Sequence, residues 1–366
     1  MKWKQQILGM KAYQPGKPIE EVKKMFGLDE VVKLASNENP FGSSPKVIDF
    51  LANYAANNAI YPDGYAQSLR TAVAQHYGIA ENELIFGNGS DDLIAIITRA
   101  LLYPGVNTVM ADPSFSQYWH NAEIEGAEVR KVPCKNGFHD LEAMLAAIDE
   151  HTSVVWVCSP NNPTGTLIPS DDLKAFLAKV PSHVLVVLDE AYIEYVTDPT
   201  YANTLPYYKQ YPNVLLMRTF SKAYGLAAFR VGYGIANAEI IEKLDPVRAP
   251  FNNTVISQAV ATIAINDQAF IQHCVEVNEK GKAQFVAFCE KHSLQYYPSQ
   301  TNFLLFEVKA DSQLVFDEMM KRGFITRSGA ALGAPGFLRV TIGTETQNAK
   351  FLTLLEEVLI EQGVLV

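Results

Sequence analysis

Between residues 84 and 235, short runs rich in β-branched residues recur that are apolar throughout instead of alternating. They end at Ile85-Phe86, Thr108-Val109-Met110, Val154-Val155-Trp156-Val157, Val184-Leu185-Val186-Val187-Leu188, Val214-Leu215-Leu216-Met217 and Val231-Gly232-Tyr233-Gly234-Ile235. A strand that is hydrophobic on both faces has to be covered on both, the condition of a mainly parallel sheet flanked by helices. Amphipathic segments such as 91–102 and 170–180 separate several of the runs and supply that cover. The pattern predicts an α/β large domain over 41–252. Beyond it, helical segments at 267–292, 312–321 and 346–361 alternate with strands at 302–306 and 338–342, which predicts a smaller α+β domain over 253–366. Residues 1–40 contain Pro15, Pro18 and Pro40 and little regular pattern, so an arm is expected there, packed on the small domain or at a subunit interface.

With 366 residues the chain exceeds the size at which a single core stops growing, in keeping with two units. The net charge of −10 and the lack of any Lys/Arg block argue against a nucleic-acid partner. No apolar run approaches the roughly 18 residues of a membrane span, and the first residues lack the apolar centre of a signal peptide. A cytoplasmic protein without a membrane partner is therefore expected. The four cysteines show no CxxC spacing and the seven histidines no HExxH pair, so neither a metal site nor a disulfide framework is expected.

The chemistry-bearing motifs follow the ends of the predicted strands, where open α/β sheets bind ligands. Gly87-Asn88-Gly89-Ser90-Asp91 opens a helix; its glycines allow an anion close to the backbone, although a simple capped turn has the same composition. Phe115, in Asp112-Pro113-Ser114-Phe115, offers a flat face to an aromatic ligand or else a core side chain. Ser159-Pro160-Asn161-Asn162-Pro163-Thr164-Gly165 forms a rigid loop in which the Asn162 amide can donate to a phenolate-type oxygen. Asp189, at the end of an apolar run, calls for a cation, and a protonated pyridine nitrogen would serve; Tyr192 follows three residues later. Lys222 lies in Arg218-Thr219-Phe220-Ser221-Lys222 with Arg230 downstream. Its amine condenses with an aldehyde only when unprotonated, and Arg218 and Arg230 are expected to help lower its pKa. Taken alone, a lysine between apolar residues is more often a surface lysine with a buried stem. Together the groups match what pyridoxal phosphate requires: an imine-forming lysine, a pyridinium partner, donors to the ring oxygen, a stacking aromatic and a phosphate cup.

In these motifs, and in Ser36-Asn37-Glu38-Asn39-Pro40-Phe41-Gly42, Tyr61-Pro62-Asp63, Ser299–Phe303 and Leu338–Thr344, the chain resembles the fold-type-I, pyridoxal-phosphate-dependent aminotransferases over nearly its whole length. Within them it is most similar to the group that acts on histidinol phosphate. The resemblance implies that Lys222 forms the Schiff base and moves the Cα proton, that Asp189 pairs with the ring nitrogen, and that Asn162 and Tyr192 bond the ring oxygen. It implies that Phe115 stacks on the ring, and that Ser90, Asp91, Ser221 and Arg230 surround the phosphate, reached by Tyr61 from the neighbouring subunit of a homodimer. Arg339, with Tyr13, Asn37 and Arg327 nearby, is implied to bind the substrate's anionic end. The small-molecule partners would be an amino donor, glutamate by the resemblance, and a phosphorylated keto acceptor. Phe115 stands where a tyrosine is common in this group, which loosens the substrate assignment. An aromatic amino acid aminotransferase and a phospho-amino-acid decarboxylase remain as alternatives.

Overall fold

The computed structural model describes residues 1–12, 16–55 and 59–365. Its strands, in chain order, are β1 (Val32–Lys33), β2 (Leu84–Asn88), β3 (Asn107–Asp112), β4 (Glu128–Pro133), β5 (Thr152–Cys158), β6 (Leu185–Asp189), β7 (Val214–Thr219), β8 (Val231–Ile235), β9 (Phe303–Glu307), β10 (Phe324–Ile325), β11 (Arg327–Ser328) and β12 (Phe337–Thr341). Strands β2 to β8 form one sheet in the order β2-β8-β7-β6-β5-β3-β4. Only β8 runs antiparallel to its neighbours; the remaining pairs are parallel.

Alternate residues of the apolar runs enter two different cores. Val155, Val157, Val186, Leu188 and Leu216 pack on one face, while Val154, Trp156, Leu185, Val187, Leu215 and Met217 pack on the other. Each such side chain contributes about 1.5–3 kcal/mol on burial, so a sheet covered on one face only would forfeit half of that stabilisation. Strand β4 is absent from the predicted set because Glu128-Val129-Arg130-Lys131-Val132-Pro133 lies at the sheet edge, where solvent on one side permits polar residues. Because β3, β5, β6 and β7 are parallel, the segments following them emerge along one edge, and with them Phe115, Asn162, Tyr192 and Lys222.

A second unit holds the antiparallel sheet β11-β12-β9 and the parallel pair β1-β10. Leu304, Phe306, Leu338 and Val340 pack there against Phe285, Phe351 and Leu355 from the helices Gln268–Lys291 and Glu345–Glu361. Part of the N-terminal segment is regular. The helix Ile19–Phe26 buries Val22 with Val31, Met320 and Ile325, and β1 pairs with β10. Lys4 and Gln6 instead donate to the Ile124 carbonyl on the large unit. The helix Val255–Ile265, expected in the small domain, places Val260, Ala261, Ala264 and Ile265 in the large-sheet core. That helix is apolar on most of its circumference and has to be buried on more than one side.

Candidate active site

Lys222 lies in the loop after β7 and is covered by the segment 36–43. Its Nζ donates to the Ser36 carbonyl at 2.9 Å and stands 5.7 Å from the Tyr192 ring centroid. Asn39 Nδ2 donates to the Ala223 carbonyl at 2.8 Å, and Ser43 Oγ to the Gly225 carbonyl at 2.8 Å. Gly225 is required at that point: its φ is +67°, and a Cβ there would sit 1.9 Å from the Gly42 carbonyl oxygen. Burial pulls the Lys222 amine down to about 8, aided by the positive charges of Arg339 and Arg230 and opposed by Asp91 and Glu38.

Arg218 does not take the part expected of it. It is buried, its Nε bonded to Glu190 Oε2 at 2.8 Å and its guanidinium 4.9 Å from the Tyr77 ring centroid. Arg218 shares the strand parity of Leu216 and so belongs to the first face of the sheet, not to the loop edge. The charge that its place beside Lys222 in the sequence had suggested comes from Arg339, far away along the chain.

Asp189 ends β6 at 3 % exposure. Tyr118 donates to its Oδ2 at 2.5 Å and the Ala191 N–H to its Oδ1 at 3.1 Å. Among the described residues no ion pair includes Asp189. Burial pushes its carboxyl up to about 6, against the two hydrogen bonds and with help from Asp91 and Glu190. A carboxyl in that state gains most from a cation brought by a ligand.

On the opposite side, Tyr192 accepts from Asn37 Nδ2 at 2.9 Å, which leaves its own hydroxyl hydrogen to give. Asn37, at φ 57°, also receives a hydrogen bond on its main-chain carbonyl from Asn302, and its amide oxygen accepts from Thr341. Arg339 Nη1 donates to Asn162 Oδ1 at 2.6 Å and Nη2 to the Ala35 carbonyl at 2.7 Å. With its oxygen engaged, Asn162 retains its amide nitrogen as a donor. Arg327 is the direct cross-strand partner of Arg339, and among the described residues its side chain has no hydrogen bond or ion pair. Like charges facing each other across a strand pair disfavour the fold unless an anion joins them.

The helix Ser90–Leu101 begins at Gly89, φ +81°. Arg230 lies over that helix start, with Nη2 3.4 Å from Asp91 Oδ2 and Nη1 3.3 Å from Ser221 Oγ. A Cβ on Gly89 would meet Arg230 Nη2 at 2.4 Å, and one on Gly232 would meet the Ser90 nitrogen at 2.4 Å. The two glycines thus let an arginine, a serine hydroxyl and the first N–H groups of a helix converge, a ready anion cup. Phe115 is partly buried and meets Tyr118 edge-on at 5.6 Å. Tyr61 is 78 % exposed and stacks on Phe251 at 4.8 Å instead of on the cup residues of its own chain. Tyr13 lies outside the described residues.

Tyr118 was not among the expected site residues. Its spacing of three from Phe115 at the start of the helix Gln117–Glu125 is the one sequence signal that could have singled it out. The buried, cation-free Asp189, the Lys222 amine near 8 and the glycine-built cup fit a pyridine ring bearing an aldehyde and a phosphate.

The family described as aminotransferase class I and II matches residues 29–355. The histidinol-phosphate aminotransferase of Lysinibacillus sphaericus is 71 % identical over 364 residues, 100 % of each chain being covered. That of Halalkalibacterium halodurans is 55 % identical, over 99 % of this chain and 98 % of its own. Among solved structures, the histidinol-phosphate aminotransferase of Sinorhizobium meliloti in complex with pyridoxal-5'-phosphate superposes with a TM-score of 0.89 at 26 % identity, covering 98 % of both chains.

Proposed function

Because the chain belongs to the class I and II aminotransferases, we propose that its cleft binds pyridoxal phosphate and exchanges an amino group between histidinol phosphate and 2-oxoglutarate, giving imidazole acetol phosphate and glutamate. The observation that carries the chemistry is that neighbouring parallel strands β6 and β7 bring to one sheet edge a buried carboxyl without a cation and a lysine amine near 8. The 71 % identity over the whole chain supports the substrate.

In this reading Asp189 holds the ring nitrogen, Asn162 and Tyr192 the ring oxygen, Phe115 one ring face, and Ser90, Asp91, Ser221 and Arg230 the phosphate end. When bound, pyridoxal phosphate supplies an aldehyde for the amine and a ring that accepts the electron pair left at the substrate's Cα. Lys222, neutral in part near pH 8, takes the proton released at Cα and gives it back later in the cycle. Ionised Asp189 keeps a proton on the group opposite it. Arg339 and Arg327, opposite each other across β12 and β11, receive the substrate's anionic end, with Asn37 beside them.

The assembly we propose is a homodimer in which the exposed Tyr61 reaches the phosphate of the neighbouring copy, in a cytoplasmic enzyme without nucleic-acid or membrane partners. No described helix is long and apolar enough to cross a membrane. We further propose that the large domain extends through the helix Val255–Ile265, beyond the expected limit at 252, since that helix shares the large-sheet core. Comparison of kcat/KM for histidinol phosphate with those for phenylalanine and tyrosine tests the substrate. A preference of at least about tenfold for histidinol phosphate is expected, and a preference for the aromatic amino acids would overturn it. Carbon dioxide release without keto-acid formation would instead mark a decarboxylase.

A further inference from the structure

Asp189 is buried with two hydrogen-bond donors and no cation, and the stronger of those donors belongs to a residue with several further constraints. Tyr118 is fully buried. Its phenol donates to Asp189 Oδ2 at 2.5 Å, and its ring stacks on Trp156 with centroids 4.7 Å apart and planes 8° from parallel. Trp156 is held in turn, since its Nε1 donates to Thr108 Oγ1 at 2.9 Å and the Thr108 hydroxyl donates to the Val154 carbonyl at 2.8 Å. Phe115 meets the Tyr118 ring at 81°. One tyrosine therefore touches both the carboxylate and the aromatic ring proposed to flank the cofactor, and a chain of two hydrogen bonds anchors the stack to the sheet backbone. Each of these donors is satisfied, as a buried polar group requires.

We infer that Tyr118 is a positioning residue whose hydroxyl keeps Asp189 ionised and aimed at the pyridine nitrogen. This rests on the aminotransferase reading. Burial pushes the phenol well above its ordinary range, so the shared proton stays on Tyr118 and the carboxylate remains the acceptor. The other titratable groups whose charge acts on Asp189 are the Asp91 and Glu190 carboxyls, the Cys158 thiol and the Tyr192 phenol, the last two pushed up by burial. All four disfavour its charge when ionised, which leaves Tyr118 and the Ala191 N–H to sustain it.

The test is the dissociation constant of pyridoxal phosphate, measured by equilibrium dialysis of the loaded enzyme, for the unsubstituted chain, Tyr118→Phe, Asp189→Asn and the double variant. Phenylalanine keeps the ring and its stacking and removes only the donor. A hydrogen bond to a charged group is worth roughly a factor of ten to a hundred, so Tyr118→Phe is expected to weaken binding by about tenfold or more. It is also expected to move the pH at which the visible band of the lysine-bound cofactor titrates. In the Asp189→Asn background the same substitution should have no further effect, because the hydroxyl acts through the carboxylate. Equal affinities for the unsubstituted chain and Tyr118→Phe, or equal losses in both backgrounds, overturn the role. Failure of the unsubstituted chain to bind pyridoxal phosphate overturns the aminotransferase reading and this inference with it.

Discussion

Burial moves Lys222 and Asp189 in opposite directions, the amine down to about 8 and the carboxyl up to about 6, because low polarity disfavours either charge. Lys222→Ala is expected to abolish transamination and the visible absorption of the lysine-bound cofactor; turnover at the unsubstituted rate would defeat the assignment. With an amine near 8, the neutral fraction rises from roughly a tenth at pH 7 to about a half at pH 8, so cofactor-free protein should capture pyridoxal phosphate about fivefold faster at the higher pH. Stopped-flow absorbance checks this. Glu194 presents a different case: among the described residues its two buried carboxyl oxygens have no hydrogen-bond partner beyond its own main chain, and burial pushes its pKa up to about 7, with Arg218 opposing. The folded chain then binds a proton that the unfolded chain releases near the ordinary value of 4.5, and stability falls as pH rises from there through about 7. Glu194→Gln should accordingly raise stability at pH 8 by about 1–3 kcal/mol and change it little at pH 4, as read from denaturant midpoints at the two pH values. Lys222, Asp189, Asn162 and Tyr192 were legible because each follows or ends an apolar run. Arg218 was misjudged because its strand parity aims it away from the loop edge.

At the scale of elements, the segment 36–43 and the loop 219–230 are held together by side chains of each that donate to main-chain carbonyls of the other. The Ser36 carbonyl accepts from Lys222, and Gly42 lies against Gly225 too closely for any side chain. Gly225→Ala combines a positive φ with a backbone collision, so a loss of about 2 kcal/mol or more is expected, with weaker cofactor binding. Thermal unfolding and cofactor titration of that variant measure both effects. The helix Ser90–Leu101 and the glycine turn before it were legible from composition, but a role as an anion site was not, since a simple capped turn has the same composition. Strand β4 and the pairing of β1 with β10 were not, the first because an edge strand tolerates charge and the second because a two-residue strand carries no period.

Over the whole molecule the proposed site draws on two units: Lys222, Asp189 and Asn162 come from the edge of the large sheet, Arg339 and Arg327 from the small antiparallel sheet. Arg339→Lys retains the charge but loses the fork that spans Asn162 and the Ala35 carbonyl, so kcat/KM for both amino substrates should fall by about 10- to 100-fold. Steady-state kinetics decide this; an unchanged kcat/KM would remove Arg339 from the substrate site. If Tyr61 serves the neighbouring copy, inactive Lys222→Ala and impaired Tyr61→Ala chains should complement when mixed. Half of the randomly paired dimers would carry one intact site, restoring roughly a quarter of full activity. The sequence by itself determined the mainly parallel sheet, the loops that follow its strand ends and the residue types they present, because those follow from periodicity and turn chemistry that act over a few residues. Only the tertiary structure decided that Tyr118 bonds Asp189, that Arg339 and not Arg218 lies beside Lys222, and that the helix Val255–Ile265 joins the large core. Those contacts join residues remote in the chain, and their geometry is set by how whole faces pack, which no local pattern encodes.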